Sequence, residues 1–361
     1  MNLSEFITPR VIAANYEQTA SNRIPYFGEG LFPAEKKTGL RLAWVKGYGG
    51  LPVSLAPSAF DAQATYREIG ELSRFETEMP FFRAAHKLSE NDIQEFLQVR
   101  DSNEPYALAI LNRTFDYLRD LIDGAHVVSE RMRMSLLFPE SGDMAISIKA
   151  NGVAYEYDYD PNDTWKTNNY SALTSTALWS AASTADPIKD FEDMKNKAAD
   201  VSGSEIRYAI MSSATFNLLK ATSAVKNSII STSGVVQSYV TGARASDVIE
   251  NETGIRPIVY SKKYKNESGA TKSFVPDGYV TFIPEGTLGR TWYGTTPEEA
   301  RLISGANTEV SIVDTGITIT QNVQIHPAVT NIYASEIVLP SYERMNEVVT
   351  LKVTADDLPH T

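Results

Sequence analysis

Between Pro105 and Pro139, apolar side chains recur at spacings of three and four residues, and no other feature of the sequence restricts its folding as strongly. Leu108, Leu111, Phe115, Leu118, Ile122, Ala125 and Met132 fall on one stripe, the repeat of an α-helix that buries one face. Asn103 can cap the start, Pro105 fits a first helical turn, and Pro139 ends the pattern. A helix over 105–138 rises about 1.5 Å per residue and forms a rod of roughly 50 Å. A compact chain of this length has a diameter of about 50–55 Å, so the rod is expected to run the length of the molecule. Gly124 lies in its middle and costs about 1 kcal/mol against alanine, which makes a kink or a split there the alternative to one unbroken helix. A seam this short is a core stripe rather than a coiled coil.

The first 35 or so residues read differently. Pro9, Pro25 and Pro33 punctuate them and Gly28 and Gly30 loosen them, yet they carry Phe6, Ile7, Val11, Ile12, Tyr16, Tyr26, Phe27 and Phe32. A disordered tail is poor in such residues, so this segment is an extended arm that wraps over a surface, its own or a neighbour's. Next, Leu40, Leu42 and Trp44 alternate with Arg41 and Ala43, the period of a half-buried strand. The turn-prone stretch GYGGLPVSLAP follows, and alternation returns around Tyr66, Ile69, Leu72 and Phe75. Together these describe a long antiparallel excursion with a loose tip. A two-stranded hairpin is marginal alone in water, so something outside must cover its apolar face.

Ser89 with Asp92 three residues on marks a helix start, an acidic relative of the capping box. Beyond Pro139, the Asn151-Gly152 dipeptide between two alternating runs predicts a hairpin. Residues 162–185 are rich in Ser, Thr, Asn and Ala; Asp186-Pro187 then opens a helix with Ile188, Phe191 and Met194 on one face. RYAIMSS reads as a buried strand, SSATFNLLKAT as a helix, ASDVIENETG as a helix closed by Gly254, and IRPIVYSKKY as another strand. This alternation predicts an α/β domain over about 140–320. The end of the chain is rich in strands, and Val348, Val349, Leu351 and Val353 are placed to pair back with earlier ones.

Composition removes most chemistry. There is no cysteine, hence no disulfide, thiolate nucleophile, iron–sulfur cluster or cysteine-based zinc site. The four histidines, His86, His126, His326 and His360, show no metal-ligand spacing and no diagnostic Ser or Asp partner. With 33 Lys+Arg against 45 Asp+Glu the net charge is −12, which opposes a nucleic-acid groove. No apolar run approaches the roughly 20 residues of a spanning helix, and the N-terminus lacks the pattern of a secretory signal. No dinucleotide fingerprint, P-loop, zinc-protease motif or nucleophile elbow occurs. The glycines at 47–50 lack the Lys-Ser/Thr that a phosphate cradle needs. Glu156, Asp158, Asp160 and Asp163 lack the order of a calcium loop and read as a solvated strand face, with Tyr155, Tyr157 and Tyr159 turned inward. The expected protein is therefore not an enzyme, with no catalytic, cofactor-binding or metal residues.

An arm, an excursion, a molecule-length helix and an α/β domain together favour assembly by interlocking. The stretch IVYSKKYKNESGATKSFVPDGYVTFIPEGTLGRTWYGTTPEE, residues 258–299, resembles the tailed-phage major capsid proteins of the lambda-like capsid protein E family. Its markers are Tyr260, Tyr264, Phe274, Pro276, Asp277, Gly278, Gly286, Gly289 and Tyr293-Gly294, and the order of elements is similar over nearly the whole chain. The resemblance implies an α+β Hong Kong phage-type capsid fold. It places an N-terminal arm at 1–35, an E-loop at 36–82, a peripheral domain with the spine helix (about 105–138) at 83–154, and an axial domain at 155–325. Strands at 326–361 would return to the peripheral domain.

The implied function is a major capsid protein that self-assembles into hexamers and pentamers of an icosahedral head enclosing double-stranded DNA. The arm anchors would be Phe6, Ile7, Tyr26 and Phe27, and the E-loop contacts Trp44, Tyr48, Gly49, Gly50, Leu51 and Pro52, each of which could equally pack within its own chain. No long scaffolding segment precedes the arm, so a separate scaffolding protein is expected, with a portal, a decoration protein in some cases, and only nonspecific contact with packaged DNA. The virion is the expected location and the host cytoplasm the expected site of assembly, with no membrane partner. An encapsulin-like compartment shell and an α/β hydrolase are the alternatives.

Overall fold

A computed structural model describes residues 8–20, 26–45, 74–92, 94, 105–150, 152–233, 240–303, 310–324 and 326–355. In chain order the elements begin with helices α1 (Pro9–Ala20) and α2 (Phe27–Leu31) and strands β1 (Ala34–Lys36), β2 (Arg41–Val45), β3 (Arg74–Glu78) and β4 (Phe81–Leu88). The long helix α3 (Pro105–Leu137) precedes strands β5 (Ala145–Ala150) and β6 (Val153–Asp158). Then come α4 (Thr164–Asn169), β7 (Tyr170–Ala172), α5 (Pro187–Ser202), β8 (Ile206–Met211), α6 (Ser213–Ala221), α7 (Ser223–Ser233) and α8 (Gly242–Thr253). Strands β9 (Arg256–Val259), β10 (Lys263–Lys265), β11 (Thr271–Ser273), β12 (Tyr279–Pro284) and β13 (Arg290–Tyr293) follow. The chain ends with α9 (Pro297–Ile303), β14 (Val310–Val313), β15 (Ile317–Gln324), β16 (Val329–Ser341) and β17 (Val349–Lys352).

The elements gather into two compact units, one drawn from residues 1–43, 76–132 and 289–341, the other from 44–75, 133–288 and 342–361. The long helix forms without interruption over 33 residues, and Gly124 lies within it with open space where a Cβ would stand. Leu118, Ile122 and Met132 of the predicted stripe are each at most 1% exposed. Ser89 and Asp92 exchange the expected hydrogen bonds: the Asp92 carboxylate accepts the Ser89 N–H at 2.8 Å, and the Asp92 N–H donates to the Ser89 hydroxyl at 3.3 Å. The remainder of the helix expected there, beyond residue 94, lies outside the described residues.

In the first unit, β16 is the spine of a six-stranded sheet. One of its edges pairs with β13 over Val338–Ser341 and with β4 over Thr330–Ile337, and the other pairs with β15. β14 and β1 close the two ends of the path. Ile317, Ile319, Ile332 and Leu88 of this sheet share one core with Leu118 and Ile122 of α3 and with Ile12, Ala13 and Tyr16 of α1. The N-terminal arm is thus in part a core element of its own unit, because the apolar positions of α1 fall on one helical side and bury there.

The second unit is built on a mixed five-stranded sheet in the order β7-β17-β12-β8-β9. β12 is central, antiparallel to both neighbours, and buried along its whole length. β8 and β9 run parallel through the helical crossover α6–α8, as the strand–helix–strand alternation predicts. Asp186 caps α5 by accepting the Lys189 N–H, and Gly254 closes α8 at φ 73°. Trp179, Phe191, Val280, Phe282 and Leu351 centre the core, with Phe191 edge-on to Phe282 at 4.9 Å. The β5–β6 hairpin pairs from Ala145–Asp158 to Ala150–Val153, around the predicted turn.

The compact units divide the chain at other points than the sequence reading does. That reading assigned 155–325 to one domain and returned 326–361 to the other. In the structure residues 289–341 belong with the arm and α3 up to Met132, while 342–361 belong with the five-stranded sheet. The physical reason is pairing: β13 and β16 are neighbours in the first sheet, whereas β17 lies beside β12 in the second.

Candidate functional site

The surfaces that matter for an interlocking protein are the arm, the base of the excursion and the exposed charge. In the first unit the arm is fastened to α3 at three points. Tyr16 donates its hydroxyl to Asp123 at 3.3 Å. The rings of Tyr16 and Tyr26 lie 6.1 and 6.5 Å from the His126 ring, near parallel to it. The Gly28 N–H donates to Glu130 at 3.0 Å, and that carboxylate is fully buried. A buried carboxylate needs such donors, and here the backbone of α2 supplies one. His126, 8% exposed, sits 2.9 Å from Asp314 in the turn between β14 and β15. Sequence spacing could not find this partner, because it lies on a distant strand turn.

Of the ten residues expected at subunit contacts, three fall within the described residues. Tyr26 is 7% exposed and Phe27 half-buried. Trp44, also 7% exposed, packs at 5.5 Å on the ring of Tyr159 in the second unit. For Tyr26 and Trp44 the chain's own side chains supply the burial, as in the second of the two readings the sequence left open. Phe6, Ile7, Tyr48, Gly49, Gly50, Leu51 and Pro52 lie outside the described residues. β2 and β3 pair as a two-stranded sheet, forming the base of the excursion.

The acidic run around β6 divides in two. Glu156 and Asp158 are exposed, as expected of a solvated strand face. Asp160 departs from that expectation: it is 5% exposed, and its carboxylate accepts the N–H groups of Thr164 at 3.2 Å and Lys166 at 3.0 Å, capping α4. Tyr157 and Tyr159 are buried and Tyr155 half-buried. Burial pushes the Tyr159 hydroxyl well above its usual range. Burial also pushes the Asp190 carboxyl up to about 6, opposed by the hydrogen bond it accepts from the Trp179 indole at 2.8 Å. Desolvation lowers Lys197, whose ammonium binds the Tyr170 carbonyl. Each of these groups holds its own fold together and is engaged within it. Among the described residues no group of three or more His, Asp or Glu side chains is placed to hold a metal ion. Among them, too, no helix is long and apolar enough to cross a membrane.

The marker residues of 258–299 have structural duties. Gly278 adopts φ 83°, and a Cβ there would stand 2.0 Å from the Thr354 hydroxyl. A Cβ on Gly289 would stand 1.9 Å from the Ser341 carbonyl, at the edge where β13 meets β16. Asp277 accepts the Ser212 hydroxyl, and the Gly278 N–H donates to Thr215 at 2.8 Å, tying the strand to the start of α6. Tyr293 meets the Ser129 hydroxyl at 3.1 Å.

No curated protein matches the sequence. Among solved structures, the fold is similar to a protein designated a prophage capsid protein of Escherichia coli CFT073, with a TM-score of 0.59 at 16% identity, covering 96% of this chain and 99% of that one. It is also similar to a phage-related protein of Bordetella bronchiseptica RB50, with a TM-score of 0.55 at 12% identity, covering 98% of each. These likenesses establish the fold as that of the phage capsid proteins, the Hong Kong phage type. The sequence itself matches the family described as phage major capsid protein E over residues 10–353, a span that takes in both compact units. This chain belongs to the phage major capsid protein E family.

Proposed function

We propose that this capsid protein is the repeating subunit of an icosahedral phage head, joined as hexamers and pentamers around double-stranded DNA. The observation that carries the reading is the family match from residue 10 to residue 353. It favours a phage head over an encapsulin-like compartment and over a hydrolase. The protein is structural and acts in the virion; we infer that it performs no catalysis and assembles in the host cytoplasm.

The arm (1–35) and the E-loop (36–82) supply the contacts. Phe6, Ile7, Phe27 and the run Tyr48, Gly49, Gly50, Leu51, Pro52 are the proposed inter-subunit residues, with Tyr26 and Trp44 fixing the positions from which they reach out. Apolar segments of this kind enlarge an interface beyond what a compact body offers. A separate scaffolding protein and a portal complete the assembly set, and a decoration protein would be added outside. Net charge −12 keeps DNA contact nonspecific. Negative-stain microscopy of the protein expressed with its scaffold tests this: closed shells with fivefold and sixfold clusters support it. A small oligomer with one deep polar pocket would return the enzyme alternative.

A further inference from the structure

The hairpin of β10 and β11 concentrates positive charge on an acidic chain. Between Tyr260 and Phe274 it carries Lys262, Lys263, Lys265 and Lys272 against one carboxylate, Glu267. The register pairs Lys263 with Ser273, Tyr264 with Lys272 and Lys265 with Thr271. Strand alternation therefore sets Lys263 and Lys265 on one side, about 7 Å apart, and both are exposed. Lys265 and Lys272 make no ion pair among the described residues.

The hairpin is built to hold its shape. At the tip, Asn266 Oδ1 accepts the N–H groups of Ser268 at 3.2 Å and Ala270 at 2.9 Å, and the Asn266 N–H donates to the Ala270 carbonyl at 2.9 Å. At the base, the buried ring of Phe274 lies 4.7 Å from Tyr264 and 6.2 Å from Tyr260. A projection already ordered loses little freedom on docking. It continues from β9, the edge strand of the sheet, where Val259 is 43% exposed.

The same unit carries an unanswered negative face. Asp247 and Glu250 stand one turn apart on α8, both exposed and without an ion pair among the described residues. Like charges at that spacing repel. Glu250 and Glu252 also fall in the last turn of α8, where the helix dipole favours cations and the helix itself supplies none. Lys195 reaches over from α5, but it binds the Thr253 carbonyl, at 2.8 Å. The Cβ atoms of such a pair lie about 5–6 Å apart, close to the spacing of Lys263 and Lys265.

We propose that the β10–β11 hairpin docks, through Lys263 and Lys265, on the Asp247–Glu250 face of α8 in a second copy of this chain. The inference rests on the shell-subunit reading, because a closed assembly repeats one contact at every equivalent interface. Complementary charge of this kind sets register and speeds encounter, and added salt screens it. Packaged DNA is the competing occupant of the lysines.

The test uses the full chain with its scaffold, as K263E/K265E, as D247K/E250K, and as all four changes together. Shells are counted by microscopy and sedimentation, and folding is followed by circular dichroism. Each pair alone is expected to lower shell yield about tenfold or more, and the fourfold swap to restore it. Either pair assembling at full yield while folded overturns the docking, as does a folded fourfold variant that stays defective after both pairs fail. K263E/K265E shells formed at full yield but short of DNA would assign the lysines to DNA instead. The helix variant leaves the hairpin untouched, so a folding defect in one set leaves the other decisive. If the unaltered chain forms no shells, the shell reading itself falls and the docking with it.

Discussion

Asp190 shows how a single carboxyl ties the second unit to pH. Its folded pKa, about 6 against a model-peptide value of 3.8, means that the folded chain holds the proton more tightly than the unfolded one. The stabilisation is full below the unfolded value and lost as pH rises through about 6. Asp190→Asn removes this titration while leaving an oxygen for the Trp179 indole. Thermal melts should show the unaltered chain losing stability from pH 5 to pH 7 more steeply than the variant, and equal slopes would contradict the assignment. Gly289 makes a second test at this scale. Ala at that position drives a methyl group into the Ser341 carbonyl, a backbone atom that cannot swing aside. Overpacking of this kind costs about 1–3 kcal/mol, measurable by denaturant unfolding; an unchanged midpoint would mean that β13 shifts freely. The sequence shows such glycines without showing their reason, because the clashing atom belongs to a strand far along the chain.

Elements governed by local spacing were readable in advance. The seam from Leu108 to Met132 and the stop at Pro139 define a helix that forms over Pro105–Leu137, and Asn151-Gly152 defines the β5–β6 turn. Both signals lie within the segments they describe. The arm was harder to read, since apolar residues without clear period can cover a neighbour or their own core. α1 in fact places Ile12, Ala13 and Tyr16 in its own unit. Tyr16→Ala should therefore loosen α1 before anything else, because it removes a buried aromatic ring and the hydrogen bond to Asp123. The cost to docking of the arm is about 3–5 kcal/mol, expressed as local opening. Limited proteolysis should cut ahead of Tyr26 faster in the variant, with the α3 core intact. Equal cutting rates would show that the ring does not fasten the arm.

For the molecule as a whole, composition gave the exclusions and pairing gave the architecture. Absent cysteine removed thiolate and disulfide chemistry, scattered histidines showed no metal-ligand spacing, and the net negative charge opposed a nucleic-acid groove before any fold was known. The points where the chain passes between units were not legible, because nothing in composition changes between Pro284 and Arg290 or between Ser341 and Val349; only strand partnership marks them. What a subunit of this family must do is bury surface on copies of itself, and we propose that residues 46–73 carry most of that demand. Sedimentation of the full chain beside a variant with residues 46–73 replaced by a short Gly-Ser linker, each expressed with the scaffold, measures it directly. Shell-sized particles from the full chain and a folded, unassembled subunit from the variant are the predicted result. A full chain that stays at the mass of one or a few copies under every assembly condition, or a variant that closes shells as readily as its parent, would contradict it.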